Sequence, residues 1–96
     1  MYINCYAEVK EITRDLVAIP SIVREPDGET NCAKKIYDYY MSLEYFKKYP
    51  SRAKILKTEN DFVDRHSAYA FVKGTKGNSN RTILLIGHID TVGVDD

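Results

Sequence analysis

The chain has 96 residues, with 14 basic and 14 acidic side chains and a formal net charge of zero. This length suits one small domain or a piece of a larger one, and the charge balance removes any electrostatic argument for nucleic acid or an anionic membrane as a partner. No apolar run approaches the roughly 20 residues that a membrane helix needs, and the amino terminus lacks the basic region and apolar core of a signal peptide. Cys5 and Cys32 form neither a Cys-x-x-Cys pair nor a ligand cluster. They read as thiols in a reducing compartment, and the expected location is cytoplasmic.

Cys5, Val9, Ile12, Leu16 and Ile19 recur at steps of four and three, the stripe of an amphipathic helix. Glu8, Lys10, Glu11, Arg14 and Asp15 fall mainly between them, on the solvated side. Pro20 stops the helix, because it has no amide donor and disfavours helical geometry in its predecessor. The helix is predicted over about residues 2–18, with Tyr2 and Tyr6 shielding its ends.

Residues 21–29 form a loop, with turn chemistry at Glu25-Pro26-Asp27-Gly28. Thr30 or Asn31 then caps a second helix. Its inner stripe is Ala33, Ile36, Tyr40 and Leu43, with Tyr37 alongside, and Pro50 ends the segment. Lys47 and Lys48 near its carboxyl end suit the helix dipole. The cluster of Tyr37, Tyr39, Tyr40, Tyr45, Phe46 and Tyr49 permits a base-stacking surface. Helical spacing and the lack of excess positive charge assign these rings instead to the core and its boundary.

A short strand at a sheet edge is predicted at 52–57, with Ala53 and Ile55 on one face and Leu56 on the other. Residues 58–64 are a polar connection. From Arg65 to Lys73 the period is two, with Ser67, Tyr69 and Phe71 on one side and His66, Ala68, Ala70 and Val72 on the other. Small residues on the second face suit close packing of a helix. Residues 74–80 are a long polar turn without a Walker pattern or a Gly-x-Gly-x-x-Gly, so a phosphate cradle is unsupported. That turn joins 65–73 to an apolar run at 81–87, predicted as an antiparallel hairpin in which Ile83 to Ile86 form the most buried strand.

The apolar run breaks into Gly87-His88-Ile89-Asp90. Ligands in open α/β sheets gather at the carboxyl ends of strands. A histidine there can ligate a metal through one ring nitrogen while a carboxylate fixes the other. Residues i and i+2 of an extended segment share a side, which brings His88 and Asp90 together. Gly87 leaves the approach to His88 open. The bland alternative is a strand-end histidine that caps the sheet.

The string Thr82-Ile-Leu-Leu-Ile-Gly-His-Ile-Asp-Thr-Val92 resembles the first metal-binding motif of the M20 family of metallopeptidases, the co-catalytic zinc aminoacylase and carboxypeptidase group. Upstream, Asp15-Leu-Val-Ala-Ile-Pro-Ser21 resembles the family's helix end L-V-x-I-P-S. Arg65-His-Ser-Ala-Tyr-Ala-Phe-Val-Lys-Gly74 resembles the strand before the motif, particularly in the arginine-utilisation branch. The resemblance covers most of the chain. It implies an α/β fold in which two N-terminal helices pack on a small mixed sheet, the start of a zinc-exopeptidase-like catalytic domain. Residues 1–96 are then an N-terminal fragment of that domain, with no second domain.

The same resemblance implies zinc, two ions in the complete family site, with His88 as a metal ligand. Asp90 matches the catalytic carboxylate that orients the histidine. The family's bridging aspartate, general-base glutamate and last histidine lie downstream of this motif, and Asp95 and Asp96 are too close to it to fit the bridging position. No family motif places a ligand at His66, which begins its strand. The implied activity is hydrolysis of amide bonds in small peptides or acylated amino acids, as part of amino-acid degradation. With one matched ligand, the chain alone is expected to be inactive and to self-associate through an exposed sheet edge. The competing reading is a standalone, non-catalytic α/β interaction module. A third, an unrelated His-x-Asp hydrolase such as a phosphoesterase, needs histidine and asparagine motifs that this sequence does not show.

Overall fold

The computed structural model of the chain describes residues 5–21, 28–60, 65–75, 77 and 81–89. Helix α1 spans Tyr6–Val17. It closes where Pro20 requires: the Ala18 amide donates to the Arg14 carbonyl and the Ile19 amide to Leu16. The predicted stripe has the right period but little depth. Ile12, Leu16 and Ile19 are half-buried, Cys5 and Val9 are exposed, and no residue of α1 is buried. Tyr6 is 71% exposed, and Tyr2 lies outside the described residues. Among the described residues the helix leans lightly on its successor.

Helix α2 spans Gly28–Ser42 and so begins before the predicted caps. Thr30 and Asn31 lie inside its first turns, where Glu29 also complements the dipole. Gly28, Thr30, Cys32 and Ala33 form its buried face, with Ala33 at 0% exposure. Nor does this helix run on to Pro50. Leu43 is extended (φ −83°, ψ 140°), and helix α3 resumes over Glu44–Lys48. Beside the break, the Ser42 hydroxyl donates to the Tyr39 carbonyl at 2.6 Å, a local bond that competes with the helical ladder. The change of direction places Phe46 at 4% exposure, its ring 5.6 Å from Tyr40 and 5.1 Å from Tyr45. Burying such a ring contributes about 1.5–3 kcal/mol. Lys47 and Lys48 occupy the last turn of α3, and Pro50 opens a 3₁₀ turn over Pro50–Arg52.

Strand β1 spans Ala53–Lys57 and pairs antiparallel with β2, His66–Ala70. Ala53 faces Ala70, Ile55 faces Ala68 and Lys57 faces His66. Outside these limits, the Phe71 amide donates to Arg52 and the Thr58 amide to Arg65. The connection carries Asn60 at φ 58°, a left-handed conformation that asparagine tolerates. Helix α2 packs on both strands, as the small residues of β2 suggest. The fold is therefore α/β. Among the described residues its sheet has two antiparallel strands, where a mixed sheet was expected.

The predicted hairpin of 65–73 with 81–87 does not form. The partner of β2 is β1, and 81–89 belongs to no helix or strand. Ile83, Leu84, Leu85 and Ile86, expected to be the most buried strand, are between 78% and 89% exposed. An apolar run has a strong tendency toward burial but carries no instruction about its partner. Here the edge of β2 that it was expected to join is not occupied by it.

Candidate metal-ligand site at His88

From Arg81 to His88 every residue is exposed, and Ile89 is the first that is partly buried. A long-range hydrogen bond anchors the segment there. The Ser21 hydroxyl, in a side chain only 4% exposed, donates to the Ile89 carbonyl at 2.6 Å across 68 positions of sequence. A buried hydroxyl requires a partner, and such a bond is worth about 0.5–1.5 kcal/mol net. Ser21 reaches its place because α1 ends at Val17 and Pro20 turns the chain out of helical geometry. Two of the three segments that carry the family resemblance thus touch each other.

His88 is exposed, and a Cβ added at Gly87 would meet nothing within 4 Å, so the space there is open whether or not the residue is glycine. Asp90 lies outside the described residues, as do Asp95 and Asp96, and so does the expected contact of His88 with Asp90. Zinc takes three or four protein ligands in tetrahedral geometry. An exposed imidazole fits one of those positions. Among the described residues, no three of His, Cys, Asp and Glu come together to hold a metal, so they do not complete the shell.

His66 has a different role. Its Nδ1 lies 2.9 Å from the Thr30 hydroxyl, and next to it Arg65 Nε lies 3.5 Å from Glu29 Oε1. Together these contacts tie the start of α2 to the start of β2. The tyrosine cluster is also engaged. The Tyr45 hydroxyl accepts from the Lys73 amide at 2.9 Å and from Arg52 Nη1 at 2.7 Å. Those donors, the Lys73 amide foremost, lower the Tyr45 pKa by favouring the phenolate. The Arg52 guanidinium sits 4.0 Å from the centroid of Tyr49, whose ring packs 5.2 Å from that of Tyr45. These faces are spent on each other and on Arg52, in keeping with boundary packing. Sequence reasoning missed this hub; the spacing of Arg52 three residues after Tyr49 was the available signal. Cys32 is buried, which raises its thiol pKa, whereas Cys5 is exposed.

The chain is 34% identical over 95 residues to Protein RocB of Bacillus subtilis, an alignment covering 99% of this chain and 16% of that protein. It therefore spans about a sixth of the length of the curated relative it matches. It is related to RocB over nearly its whole length, and an alignment that long takes in His88. No family model and no solved structure matches the chain. Among the described residues, no helix is long and apolar enough to cross a membrane.

Proposed function

We propose that this chain is the His-x-Asp-bearing, amino-terminal part of the catalytic domain of a RocB-like, M20-type zinc amidohydrolase. Its substrates are peptides or acylated amino acids, and its compartment is the cytoplasm. The observation that carries this reading is the string 82–92, lying within a stretch related to RocB. His88 would hold zinc through one ring nitrogen, and Asp90 would orient that ring and raise its basicity. Bound zinc, two ions in the complete site, supplies Lewis acidity toward a carbonyl and acidifies water. The other ligands and the general base belong to the remainder of such a polypeptide.

Alone, the chain has no turnover on this reading. Loss of a general base costs ~10²–10⁴-fold in rate, and a single imidazole holds zinc weakly. The exposed run from Ile83 to Ile86 supports the same reading, because it is a surface that further strands would cover. In the isolated chain it is the proposed site of self-association.

The test is zinc titration followed by hydrolysis assays on acylated amino acids and dipeptides, with His88→Ala as control. Weak zinc binding and no turnover are expected for the chain alone. Turnover should appear when the remainder of a RocB-like polypeptide is supplied, and His88→Ala should abolish it. Tight stoichiometric zinc with turnover from this chain alone would overturn the incompleteness. Absence of turnover in the completed protein would overturn the hydrolase reading.

A further inference from the structure

We propose that the outer edge of strand β2 receives the run Ile83–Ile86 of a second copy of this chain. Two copies then exchange these segments, and each adds a third strand to the other's sheet. The proposal rests on the reading above that this run is where copies associate, and it names the surface that the run joins. It needs no metal.

The direction of the backbone groups identifies the edge. The Phe71 amide donates to Arg52 and the Thr58 amide to Arg65, so residues 65, 67, 69 and 71 turn their polar backbone groups toward β1. Ala68 and Ala70 alternate with them and turn theirs outward. Among the described residues, those outward groups meet no partner. The alternation continues beyond the last paired residue. The Lys73 amide, again on the β1 side, donates to the Tyr45 hydroxyl at 2.9 Å, where a side chain takes the place of a strand carbonyl.

The two edges of the sheet differ in chemistry. Edges are blunted against other chains by charged residues, lysine above all. β1 carries Lys54 and Lys57, whereas residues 67–72 carry no charge and no proline. Tyr69, Phe71 and Val72 are each more than half exposed. By alternation Tyr69 and Phe71 lie on one side of the edge, with Ala68 and Ala70 on the other. A strand laid along it meets aromatic side chains on one side and small ones on the other, which suits a segment that is apolar at every position.

The run 83–86 is such a segment. Its side chains are between 78% and 89% exposed, and its backbone enters no helix or strand. The β2 edge of its own chain does not hold it. A second copy is the occupant because each copy brings both an open edge and an uncovered run. Exchange of identical elements closes such a pair with two-fold symmetry. A formal net charge of zero leaves no net repulsion between the copies, and four apolar side chains from each leave water in the same event.

The test is sedimentation velocity over a concentration series on the whole chain, on Ala70→Pro and on Leu85→Lys. Wild type should pass from monomer to dimer as concentration rises. Proline at position 70 removes an outward amide and leaves the β1 ladder its bonds. It should weaken dimerisation about 10-fold or more, since a hydrogen bond is lost on each of two edges. Leu85→Lys should weaken it as well. In wild type, amide exchange followed by nuclear magnetic resonance should slow at Ala68 and Ala70 between dilute and concentrated solution, with Ser67 and Tyr69 unchanged. That measurement decides the matter if Ala70→Pro loses its dispersed β1 amides. Unchanged dimerisation of a folded Ala70→Pro chain would overturn the edge as the receiving surface, and if Leu85→Lys still prevents association, run against run is the contact instead. Exchange at Ala68 and Ala70 that ignores concentration also sinks the proposal, as does protection gained only when the remainder of a RocB-like polypeptide is supplied. A wild-type chain that stays monomeric throughout removes this proposal and the self-association reading together.

Discussion

Residues 53–57 hold three apolar side chains among two lysines, whereas residues 83–86 hold four apolar side chains in a row. The first stretch is strand β1 and the second belongs to no ladder. The difference lies in what the chain delivers to each. β1 leaves a 3₁₀ turn held by Arg52, which reaches both Tyr45 and Tyr49. It meets β2 in register, and α2 backs both. Backbone amides and carbonyls of a strand need a partner strand. Hydrophobicity supplies the drive to leave water and says nothing about which edge will receive the segment.

The sharpest way to break this comparison is to remove what supports β1. Phe46→Ala deletes the buried ring between Tyr40 and Tyr45 and should cost about 3–5 kcal/mol. Small domains have only about 5–15 kcal/mol in total. Urea unfolding followed by circular dichroism should show a collapsed or missing cooperative transition. A loss below about 1 kcal/mol would mean that the helix-backed hairpin is not organised on Phe46.

A finer cut is Thr30→Val, which keeps the shape and removes the hydroxyl 2.9 Å from His66 Nδ1. About 1 kcal/mol of destabilisation is expected, visible as a lower urea midpoint with an unchanged slope. An unaltered midpoint would show that this contact does not tie α2 to β2.

Leu85→Lys should have the smallest effect on folding, within about 0.5 kcal/mol, because Leu85 is already 89% exposed. The same change should reduce self-association in sedimentation velocity. Destabilisation of the monomer by several times that amount would show that the run is covered within one chain, removing the contrast with β1.

The two strands were readable beforehand, whereas their pairing with each other was not. The alternation of 65–73 put His66, Ala68, Ala70 and Val72 on one face; His66 and Ala68 are half-buried while Ser67 and Tyr69 are exposed, but Ala70 and Val72 are exposed as well. Pro20 marked the end of α1 through its own missing amide. The break at Leu43 was not readable, since the apolar stripe continues through it and the burial of Phe46 decides the turn. At the candidate site, His88 stood out through its flanking string, whereas its anchor did not. A backbone carbonyl is present at every position, so an acceptor such as that of Ile89 leaves no mark in the sequence.

By itself the sequence determined the features set within a single segment: helical period, strand faces, proline stops, and the His-x-Asp string that resembles a zinc-ligand motif. These follow from sterics and bonding among residues a few positions apart. Only the tertiary structure decided which strand pairs with β2, how deeply each stripe is buried, and that Ser21 meets Ile89 across 68 positions. Such choices are competitions among distant surfaces, and the chain records the surfaces without recording the outcome.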